Sequence, residues 1–262
     1  MTSRGSKETM TVGAETAPAP RTDRIPSFVH QRNRLTEGQQ SAWDRLWHRH
    51  GRDVADLVEG REPYDPPAWF GRTAPLVLEI GSGMGESTAA LAAAAPDVDH
   101  MAVEVFEPGL AQLLLRVESS DLTNLLLLRG DAVALLDACI PVDSLDGIRI
   151  FFPDPWPKRR HRKRRLVQPG FVGLAASRLR PGAILHMATD WADYAVQMRD
   201  VADAERRLQR APEAGPNGFV PRPDWRPVSK FEQRAITEGR EVSDLMYEKH
   251  HRWAKADIPR VT

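Results

Sequence analysis

Short apolar segments alternate with Ala- and Leu-rich stretches through the middle of the chain. Five of these segments have the length and composition of buried strands. They are residues 76–80, 100–105, 124–130, 145–152 and 183–189. The stretches between them have the composition of helices, and strands that alternate with helices are typical of a mainly parallel sheet with helices on both faces. The pattern therefore predicts an α/β fold.

The residues before the first predicted strand divide into two parts. Residues 1–24 are rich in Thr, Ser, Gly, Ala and Pro and lack hydrophobic periodicity, which predicts a disordered tail. In the second part, Thr36 can cap a helix that carries three apolar side chains on one face. These side chains are Trp43, Leu46 and Trp47. We therefore predict an N-terminal helical extension over residues 25–72.

The part of the chain after the fifth predicted strand is less regular. Residues 211–225 are rich in Pro and Gly and predict a loop. A short helix near Ser229 and a last strand near residues 242–250 are expected to follow it. Because no internal repeat is visible, we assign residues 73–262 to one domain.

Composition adds few constraints to this picture. Of the 262 residues, 41% are hydrophobic and 27% are charged, as in ordinary soluble proteins. No apolar run has the length of a membrane span, and the N-terminus lacks the apolar core of a secretory signal. We therefore predict a cytoplasmic protein that does not contact a membrane. The single cysteine, Cys139, has no partner for a disulfide or a thiolate zinc cluster, and we predict no metal site.

Charge is balanced over the whole chain but concentrated in one segment. Lys and Arg together number 36, as do Asp and Glu, so the net charge does not indicate a polyanionic partner. Residues 158–165, however, read KRRHRKRR. Such a run produces a strong local positive potential. Its alternative interpretation is a solvated helix start, which is common for charge clusters.

The first predicted strand leads into a glycine-rich turn, EIGSGMGE. Gly81, Gly83 and Gly85 lie directly before the next helical stretch. In open parallel sheets a nucleotide-like ligand binds at this strand end, where glycines let the backbone approach it closely. A dinucleotide-binding turn would carry glycine in place of Glu86, whose charge opposes a phosphate. Glu79 suits instead a ligand with positive charge, such as the sulfonium and amino group of S-adenosylmethionine.

Two further acids lie at the ends of predicted strands. Glu104 lies about 20 residues beyond the glycines, where an acid binds the ribose hydroxyls of an adenosine ligand. Asp131 follows the third strand, where its carboxylate can accept a hydrogen bond from an adenine amino group. Each acid taken alone is also compatible with capping the next helix. Acids at three successive strand ends favour the cofactor interpretation.

The fourth predicted strand ends in the sequence FFPDPWPK. Prolines on both sides of Asp154 remove backbone donors and restrict φ, so the turn holds one carboxylate rigidly at the strand end. Rigid display of an acid at this position indicates a functional site. Trp156 can stack on a base, and the basic run beside it can contact phosphates.

Five segments together resemble the bacterial tRNA (guanine-N7) methyltransferase family. They are LEIGSGMG, AVEVFEPG, FFPDPWPKRRHRKRR, MATDWADYA and SKFEQRAITEGREVSDLMYE. The sequence FPDPWPK followed by Arg and Lys is distinctive of this family. The resemblance implies a Rossmann-like class I S-adenosylmethionine-dependent methyltransferase with a seven-stranded, mostly parallel sheet and helices on both faces. It also implies methylation of guanine N7 at position 46, in the variable loop of tRNA.

The resemblance implies roles for the residues at matching motif positions. Asp154 is expected to be the catalytic acid. The cofactor S-adenosylmethionine, which leaves as S-adenosylhomocysteine, is expected to contact Glu79, Gly81, Gly83, Gly85, Glu104, Asp131 and Asp154. The tRNA is expected to contact Lys158, Asp190, Ser229, Lys230, Phe231 and Glu232, although the family usually has Thr in place of Ser229. The charge of the basic run adds expected RNA contacts at Arg159, Arg160, Arg162, Lys163, Arg164 and Arg165.

The chemistry of guanine N7 agrees with these groups. This ring nitrogen offers a lone pair and carries no proton, so methyl transfer to it needs no prior deprotonation. The methylated base is cationic, and a nearby carboxylate such as Asp154 would stabilise the developing charge. For Asp190, capping of the following helix is an alternative that is compatible with substrate binding.

Other functions are compatible with parts of the pattern. A methyltransferase of the same fold could act on another RNA or on a small molecule. A nonenzymatic RNA-binding protein could keep the scaffold without binding an adenosine ligand. An NAD-dependent oxidoreductase is disfavoured by Glu86 and by the lack of a recognisable hydride-transfer motif. Both a monomer and a homodimer agree with these features.

Overall fold

The computed structural model describes residues 34–251. The tail predicted for residues 1–24 lies outside the described residues. The helices are α1 (Glu37–His50), α2 (Val54–Val58), α3 (Pro66–Phe70), α4 (Glu86–Ala94), α5 (Glu107–Ser119), α6 (Ala132–Ala138), α7 (Pro169–Arg178), α8 (Ala192–Asp203), α9 (Lys230–Thr237) and the 3₁₀ helix η1 (Arg159–Arg164). The strands are β1 (Gly51–Asp53), β2 (Leu76–Ile80), β3 (Asp99–Glu104), β4 (Leu125–Arg129), β5 (Leu145–Phe151), β6 (Leu179–Thr189), β7 (Leu208–Arg210) and β8 (Ser243–Lys249).

The described strands form one sheet in the order β1-β4-β3-β2-β5-β6-β8-β7. The first six strands in that order are parallel, whereas β8 runs antiparallel to both β6 and β7. The order reverses at β2, because β3 and β4 lie on one side of it and β5 and β6 on the other. In such sheets, ligands bind outside the carboxyl ends of the strands next to the reversal.

The α/β fold with a mostly parallel sheet is confirmed, and so are the six strands located from the sequence. The strands β1 and β7 were missed, because each has three residues and is too short to show a hydrophobic pattern. Strand β1 pairs with β4 and makes the sheet eight-stranded, not seven-stranded as the resemblance implies. Residues 25–72 therefore contribute an edge strand as well as helices.

Apolar residues on alternate positions of the central strands pack on opposite faces of the sheet. On β3, Met101 and Val103 belong to a buried cluster with α2, α6 and α7. Ala102, between them, belongs to a second cluster with α1, α4 and α5. Burial of a large apolar side chain contributes roughly 1.5 to 3 kcal/mol. These two cores hold the strand ends, and hence the loops that follow them, in place.

The first described helix begins as the sequence predicts. The Thr36 hydroxyl accepts a hydrogen bond from the Gln39 N–H at 3.3 Å, and the Gln39 side chain accepts one from the Thr36 N–H at 3.0 Å. This reciprocal cap satisfies two backbone donors. The rings of Trp43 and Trp47 stack at 4.0 Å, and the Arg129 guanidinium lies 5.4 and 5.7 Å from their centres. Because Arg129 ends β4, helix α1 is connected to the ligand-binding edge of the sheet.

Candidate active site

A cavity of about 410 Å³ lies at the carboxyl ends of β2, β3, β4 and β5. Its wall includes the glycine-rich turn after β2, the end of β3, the residues after β4 and the turn after β5. The beginning of α9 completes it. Among the lining residues are nine that the sequence predicts for the site: Glu79, Gly81, Gly83, Glu104, Asp154, Trp156, Arg164, Ser229 and Phe231. Separate segments of the chain thus converge on one pocket.

The glycine-rich turn has a left-handed backbone. Gly81, Gly83 and Gly85 have φ angles of 81°, 54° and 73°, which other residues rarely adopt. A Cβ at Gly81 or Gly83 would meet no atom within 4 Å, so these two positions leave the cavity open. A Cβ at Gly85 would lie 2.5 Å from the Leu113 side chain. Gly85 therefore packs α4 against α5 and supports the turn from behind, outside the cavity lining.

A residue that the sequence analysis missed supports the same turn. A Cβ at Gly109 would lie 2.2 Å from the carbonyl oxygen of Gly83. Glycine is therefore required there, since any side chain would collide with the backbone of the turn. The segment AVEVFEPG contributed to the family resemblance, but a glycine in the first turn of a helix carries no motif that reveals such a contact.

Glu79 lies buried at the wall of the cavity. Its Oε1 accepts a hydrogen bond from the Thr88 hydroxyl at 2.8 Å. Burial raises the pKa of the Glu79 carboxyl to about 6, while the Thr88 hydrogen bond and the charge of Arg149 oppose the shift. Arg149 pairs with Glu79 in register between β5 and β2. A cationic ligand group beside this carboxyl would favour its ionised form.

Glu104 binds backbone donors of two loops. Its Oε2 accepts from the Gly83 N–H at 3.0 Å, and its Oε1 accepts from the N–H groups of Val105 and Phe106 at 2.6 and 2.9 Å. Glu104 therefore ties the glycine-rich turn to the loop after β3. Its side chain also lines the cavity. The predicted contact with ribose hydroxyls stays a prediction beside this structural role.

Asp131 caps helix α6. Its Oδ1 accepts hydrogen bonds from the N–H groups of Val133 and Ala134 at 2.9 and 3.0 Å, which agrees with the capping alternative. Its neighbours Gly130 and Ala132 line the cavity. Asp131 is not among the lining residues, and its contact with an adenine amino group stays a prediction.

The turn after β5 displays its acid on a strained backbone. Phe152 and Trp156 have φ angles of 51° and 42°, and the segment between them contains Pro153 and Pro155. Left-handed conformations of such residues cost of order 1 to 3 kcal/mol each and persist where the surrounding structure determines them. Asp154 is exposed and lines the cavity. The turn thus displays Asp154 at the strand end, where the two prolines predict it.

The basic run forms the 3₁₀ helix η1 next to this turn. The Arg164 guanidinium lies 5.0 Å from the centre of the Trp156 ring, on which it stacks as a cation on an aromatic face. Arg162 pairs with Asp193 at 2.7 Å, and 49% of the Arg162 side chain is exposed. The exposed cations of the run are Lys158, Arg159, Arg160, Arg162, Lys163 and Arg164. This surface can accept a polyanion.

The prediction that Arg165 contacts RNA, which was made from charge alone, is wrong. Only 1% of its side chain is exposed, and its guanidinium binds Asp193, Gln197 and the carbonyl of Pro155. A phosphate outside the protein has no access to it. Composition alone does not distinguish Arg165 from the other cations of the run. Whether one of these cations is buried depends on residues far along the chain.

The beginning of α9 faces the cavity. The Ser229 hydroxyl caps the helix by accepting a hydrogen bond from the Glu232 N–H at 3.2 Å. Phe231 lines the cavity and is 64% exposed. The Lys230 ammonium lies 3.2 Å from the carboxylate of Glu86, at the beginning of α4, and so connects the two sides of the pocket. Ser229, Lys230 and Phe231 lie where a substrate could contact them.

Glu232 does not lie where a substrate could contact it, contrary to the prediction. It is 1% exposed, and its two oxygens accept hydrogen bonds from Arg226 at 2.7 and 2.9 Å. Arg222 donates a further hydrogen bond to Glu232 at 2.7 Å. Arg226 also binds Asp244, whose other oxygen lies 2.8 Å from the His186 ring. Glu232 therefore anchors α9 to β6 and β8.

Asp190 also has a protein partner. Its Oδ2 accepts a hydrogen bond from the Nε of Arg240 at 2.9 Å, and helix α8 has Trp191 at its N-cap, without a hydrogen bond from a capping side chain. Capping, the alternative raised for Asp190, is thus wrong. Asp190 lies outside the cavity lining, and its predicted contact with tRNA stays a prediction.

Neither a membrane-spanning helix nor a metal cluster is found in the part of the chain that the structure describes. None of its helices is both long and apolar enough to cross a membrane. Within residues 34–251, no cluster of three or more His, Cys, Asp or Glu side chains is arranged to hold a metal ion.

Comparison with known proteins places the chain in a sequence family. Residues 73–245 match a family model described as "Putative methyltransferase". A tRNA (guanine-N(7)-)-methyltransferase of Alcanivorax borkumensis is 48% identical over 226 residues, which are 86% of this chain and 92% of the relative. The enzyme of the same description from Nocardia farcinica is 49% identical over 86% of this chain and 84% of its own length.

Two solved structures match at lower sequence identity. The crystal structure of the 16S rRNA methyltransferase KamB matches with a TM-score of 0.48 and 17% sequence identity, over 75% of this chain and 93% of the other. The aminoglycoside resistance methyltransferase NpmB1 matches with a TM-score of 0.44 and 15% identity, over 75% of this chain and 93% of the other.

Proposed function

This chain belongs to the tRNA (guanine-N(7)-)-methyltransferase family, and we propose that the guanine it methylates is at position 46, in the variable loop of tRNA. Its reaction transfers a methyl group from S-adenosylmethionine to N7 of guanine in tRNA and leaves S-adenosylhomocysteine. The family match over most of the chain carries this function. The proposed position rests on the FPDPWPK turn and the basic run, which resemble those of the bacterial family.

S-adenosylmethionine fits the wall of the cavity by its chemistry. The Ser82 hydroxyl lines the cavity and is buried, and it has no hydrogen-bond partner among the described residues. A polar ligand would relieve the cost of that unsatisfied group. Gly81 and Gly83 leave space for a ligand, and the Glu79 carboxylate can pair with a cationic group of that ligand. When bound, the cofactor supplies a methyl group on a positively charged sulfur.

We assign the stabilisation of positive charge to Asp154. The guanine ring becomes cationic as N7 gains the methyl group, and a preorganised carboxylate lowers the energy of that charge. No general base is required, because N7 carries no proton. Correct alignment of the base then supplies much of the remaining acceleration, since a held geometry replaces a chance encounter.

We place the tRNA on the exposed cations of η1 and on the beginning of α9. Lys158 and the exposed arginines of η1 supply positive charge for phosphates. Phe231, exposed at the cavity, offers a ring on which an unstacked base can stack. Lys230 and Ser229 lie beside it and are proposed to contact the substrate.

The domain boundaries and the cytoplasmic location stay proposals. Helix α1 packs against α5, and β1 pairs with β4, so we expect the described part of residues 25–72 to resist proteolysis together with residues 73–251. Limited proteolysis followed by mass spectrometry tests this division. Fractionation of cells that express the protein tests the location.

The proposed function is tested by changing one atom and one base of the substrate. A tRNA transcript with guanine at position 46 should accept one methyl group. The same transcript with 7-deazaguanine there, or with adenine there, should accept none. Methyl incorporation into the 7-deaza transcript at the normal rate would contradict the N7 assignment, and undiminished incorporation into the adenine transcript would contradict position 46.

A further inference from the structure

We propose that Arg165 is a positioning residue for the turn that carries Asp154, and that it does not contact RNA phosphates. The inference rests on the proposed function of Asp154. Arg165 ends the basic run, yet its side chain is 1% exposed, whereas 49% of the Arg162 side chain is exposed three residues earlier. Access to tRNA therefore differs sharply within one run of like charges.

The guanidinium of Arg165 is almost fully used by the protein. Its Nε donates to the Pro155 carbonyl at 2.7 Å, and one terminal nitrogen donates to the Gln197 side chain at 2.8 Å. The other terminal nitrogen donates to both carboxylate oxygens of Asp193, at 3.0 and 2.9 Å. The same guanidinium lies 4.6 Å from the centre of the buried Tyr194 ring. Of the five N–H donors of an arginine, these bonds engage four.

The Pro155 carbonyl is a sensitive point of attachment. It belongs to the peptide bond that leads to Trp156, whose φ of 42° requires support from its surroundings. Pro153 and Pro155 lack N–H groups, so the turn has few donors with which to hold itself. The hydrogen bond from Arg165 to this carbonyl therefore fixes the backbone of Asp154 and Trp156 relative to the rest of the protein.

The other end of Arg165 is attached to a firm support. Asp193 and Gln197 lie one turn apart on α8, and the Gln197 side chain also donates to the Val167 carbonyl at 3.0 Å. Asp193 binds both Arg165 and the exposed Arg162, so the turn and the RNA-facing helix η1 share one anchor. A planar guanidinium can hold a carbonyl and a carboxylate in one geometry, which a lysine ammonium cannot reproduce.

The expected effect of this arrangement lies in the rate of methyl transfer. A displacement of about 1 Å at a reacting group can lower a rate by about 10²-fold. Arg165→Lys keeps the charge but loses the forked geometry. In single-turnover assays at saturating S-adenosylmethionine and tRNA, we expect a rate about 10- to 100-fold below that of the wild type. The salt dependence of tRNA binding should be unchanged, because the buried Arg165 side chain reaches no phosphate.

Arg207→Lys provides a control in which the same substitution is made at a partly buried arginine. Arg207 likewise donates to a backbone carbonyl, that of Gly173 at 2.8 Å, and pairs with the Glu205 carboxylate at 2.7 Å. It lies outside the cavity lining. The same substitution at Arg207 should therefore leave the methylation rate at the wild-type value. A fall in rate equal to that of Arg165→Lys would attribute the effect to general loosening of the fold and would overturn the proposal.

A second measurement does not require activity. In hydrogen exchange followed by mass spectrometry, Arg165→Lys should speed exchange in the peptide that spans residues 151–158 and leave residues 80–86 unchanged. Asp193→Asn, which weakens the support of Arg165, should change exchange in the same peptide if Arg165→Lys does not fold. Unchanged exchange, or a flatter salt dependence of tRNA binding in Arg165→Lys, would refute the role. Absence of tRNA methylation by the wild-type protein would instead refute the proposed function, while the exchange result would still stand.

Discussion

Asp154 shows how single residues are prepared for the reaction. Two prolines restrict the backbone on either side of it, and two residues with positive φ bend the chain so that the acid is displayed at the cavity. The local sequence alone predicts this display. The position of the Asp154 carboxylate relative to Glu79 and the glycine-rich turn depends on the alignment of β5 with β2.

Replacement of Asp154 by asparagine tests the role of its charge. Asp154→Asn keeps the shape of the side chain but removes the charge that is proposed to stabilise the cationic base. The single-turnover methylation rate should fall by about 10²-fold or more, the scale expected when one preorganised electrostatic interaction is removed. Affinity for tRNA, measured by filter binding, should change far less. A wild-type rate in the variant would show that Asp154 does not have this role.

Glu79 provides a prediction of pH dependence. Burial raises the pKa of the Glu79 carboxyl from 4.5 to about 6 in the folded protein. The folded state therefore binds this proton more tightly than the unfolded state does. The stabilisation of the fold by the protonated carboxyl is fully present below about pH 4.5 and is lost as the pH rises through 6. Between low and neutral pH, the free energy of unfolding of the wild type should fall by about 2 kcal/mol relative to that of Glu79→Gln, whose side chain resembles the protonated form.

The measurement is urea unfolding of the wild type and Glu79→Gln at pH 4 and pH 7.5. The variant should gain stability relative to the wild type at the higher pH. Saturating S-adenosylhomocysteine should reduce this gain, because the amino group of the ligand would favour the ionised carboxyl of the wild type. A difference in free energy of unfolding that is independent of pH would contradict the shifted pKa.

At the scale of elements, a buried charge network decides where α9 lies. Glu232, in the first turn of α9, binds Arg226, and Arg226 binds Asp244 on β8. Each of these three side chains is 1% exposed. The network thereby fixes the helix whose beginning presents Ser229 and Phe231 to the cavity. The motif SKFE is thus divided between residues that face the cavity and one that holds the helix.

Glu232→Ala should be strongly destabilising, because it leaves the buried Arg226 with one carboxylate partner in place of two. The expected loss is about 3 to 5 kcal/mol in the free energy of unfolding by urea. Glu238→Ala, immediately after α9, provides the control. Its partners Arg234 and Arg240 are 75% and 33% exposed, and the loss should be about 1 kcal/mol or less. Equal losses of stability in the two variants would show that the buried network contributes no more than the exposed ion pairs of Glu238.

At the scale of the whole molecule, the distribution of charge matters more than its sum. The chain has no net formal charge, yet six exposed cations of its basic run lie beside the cavity on one edge of the sheet. A polyanion is therefore attracted to the reacting face rather than to the protein as a whole. This arrangement is what a site on structured RNA requires.

Removal of two cations from this face tests it. Arg159 and Arg160 are exposed, and neither lines the cavity. If both neutralise phosphates, the double variant Arg159→Ala and Arg160→Ala should lower the slope of log affinity for tRNA against log salt by about 1 for each cation removed. Arg61→Ala, an exposed arginine paired with Asp56 and Glu59, should leave the slope unchanged. A wild-type slope in the double variant would assign these cations to a solvated surface.

The sequence by itself determined the fold class, the six longer strands, the cap of α1 and the turns that carry Gly81 and Asp154. These features depend on local rules: hydrophobic periodicity, the preference of glycine for positive φ, and the restriction that proline places on its neighbours. Residues near each other in the chain are sufficient to specify them.

Only the tertiary structure decided which members of a motif face the ligand. Arg165 and Arg164 are adjacent cations, yet one is buried against Asp193 and the other lines the cavity. Glu232 and Phe231 differ in the same way within SKFE. The partners that bury Arg165 and Glu232 include Asp193 and Arg226, and nothing in the local sequence pairs them with these two residues. Burial of a charge depends on whether the fold brings a compensating group to it, and that is a property of contacts between distant parts of the chain.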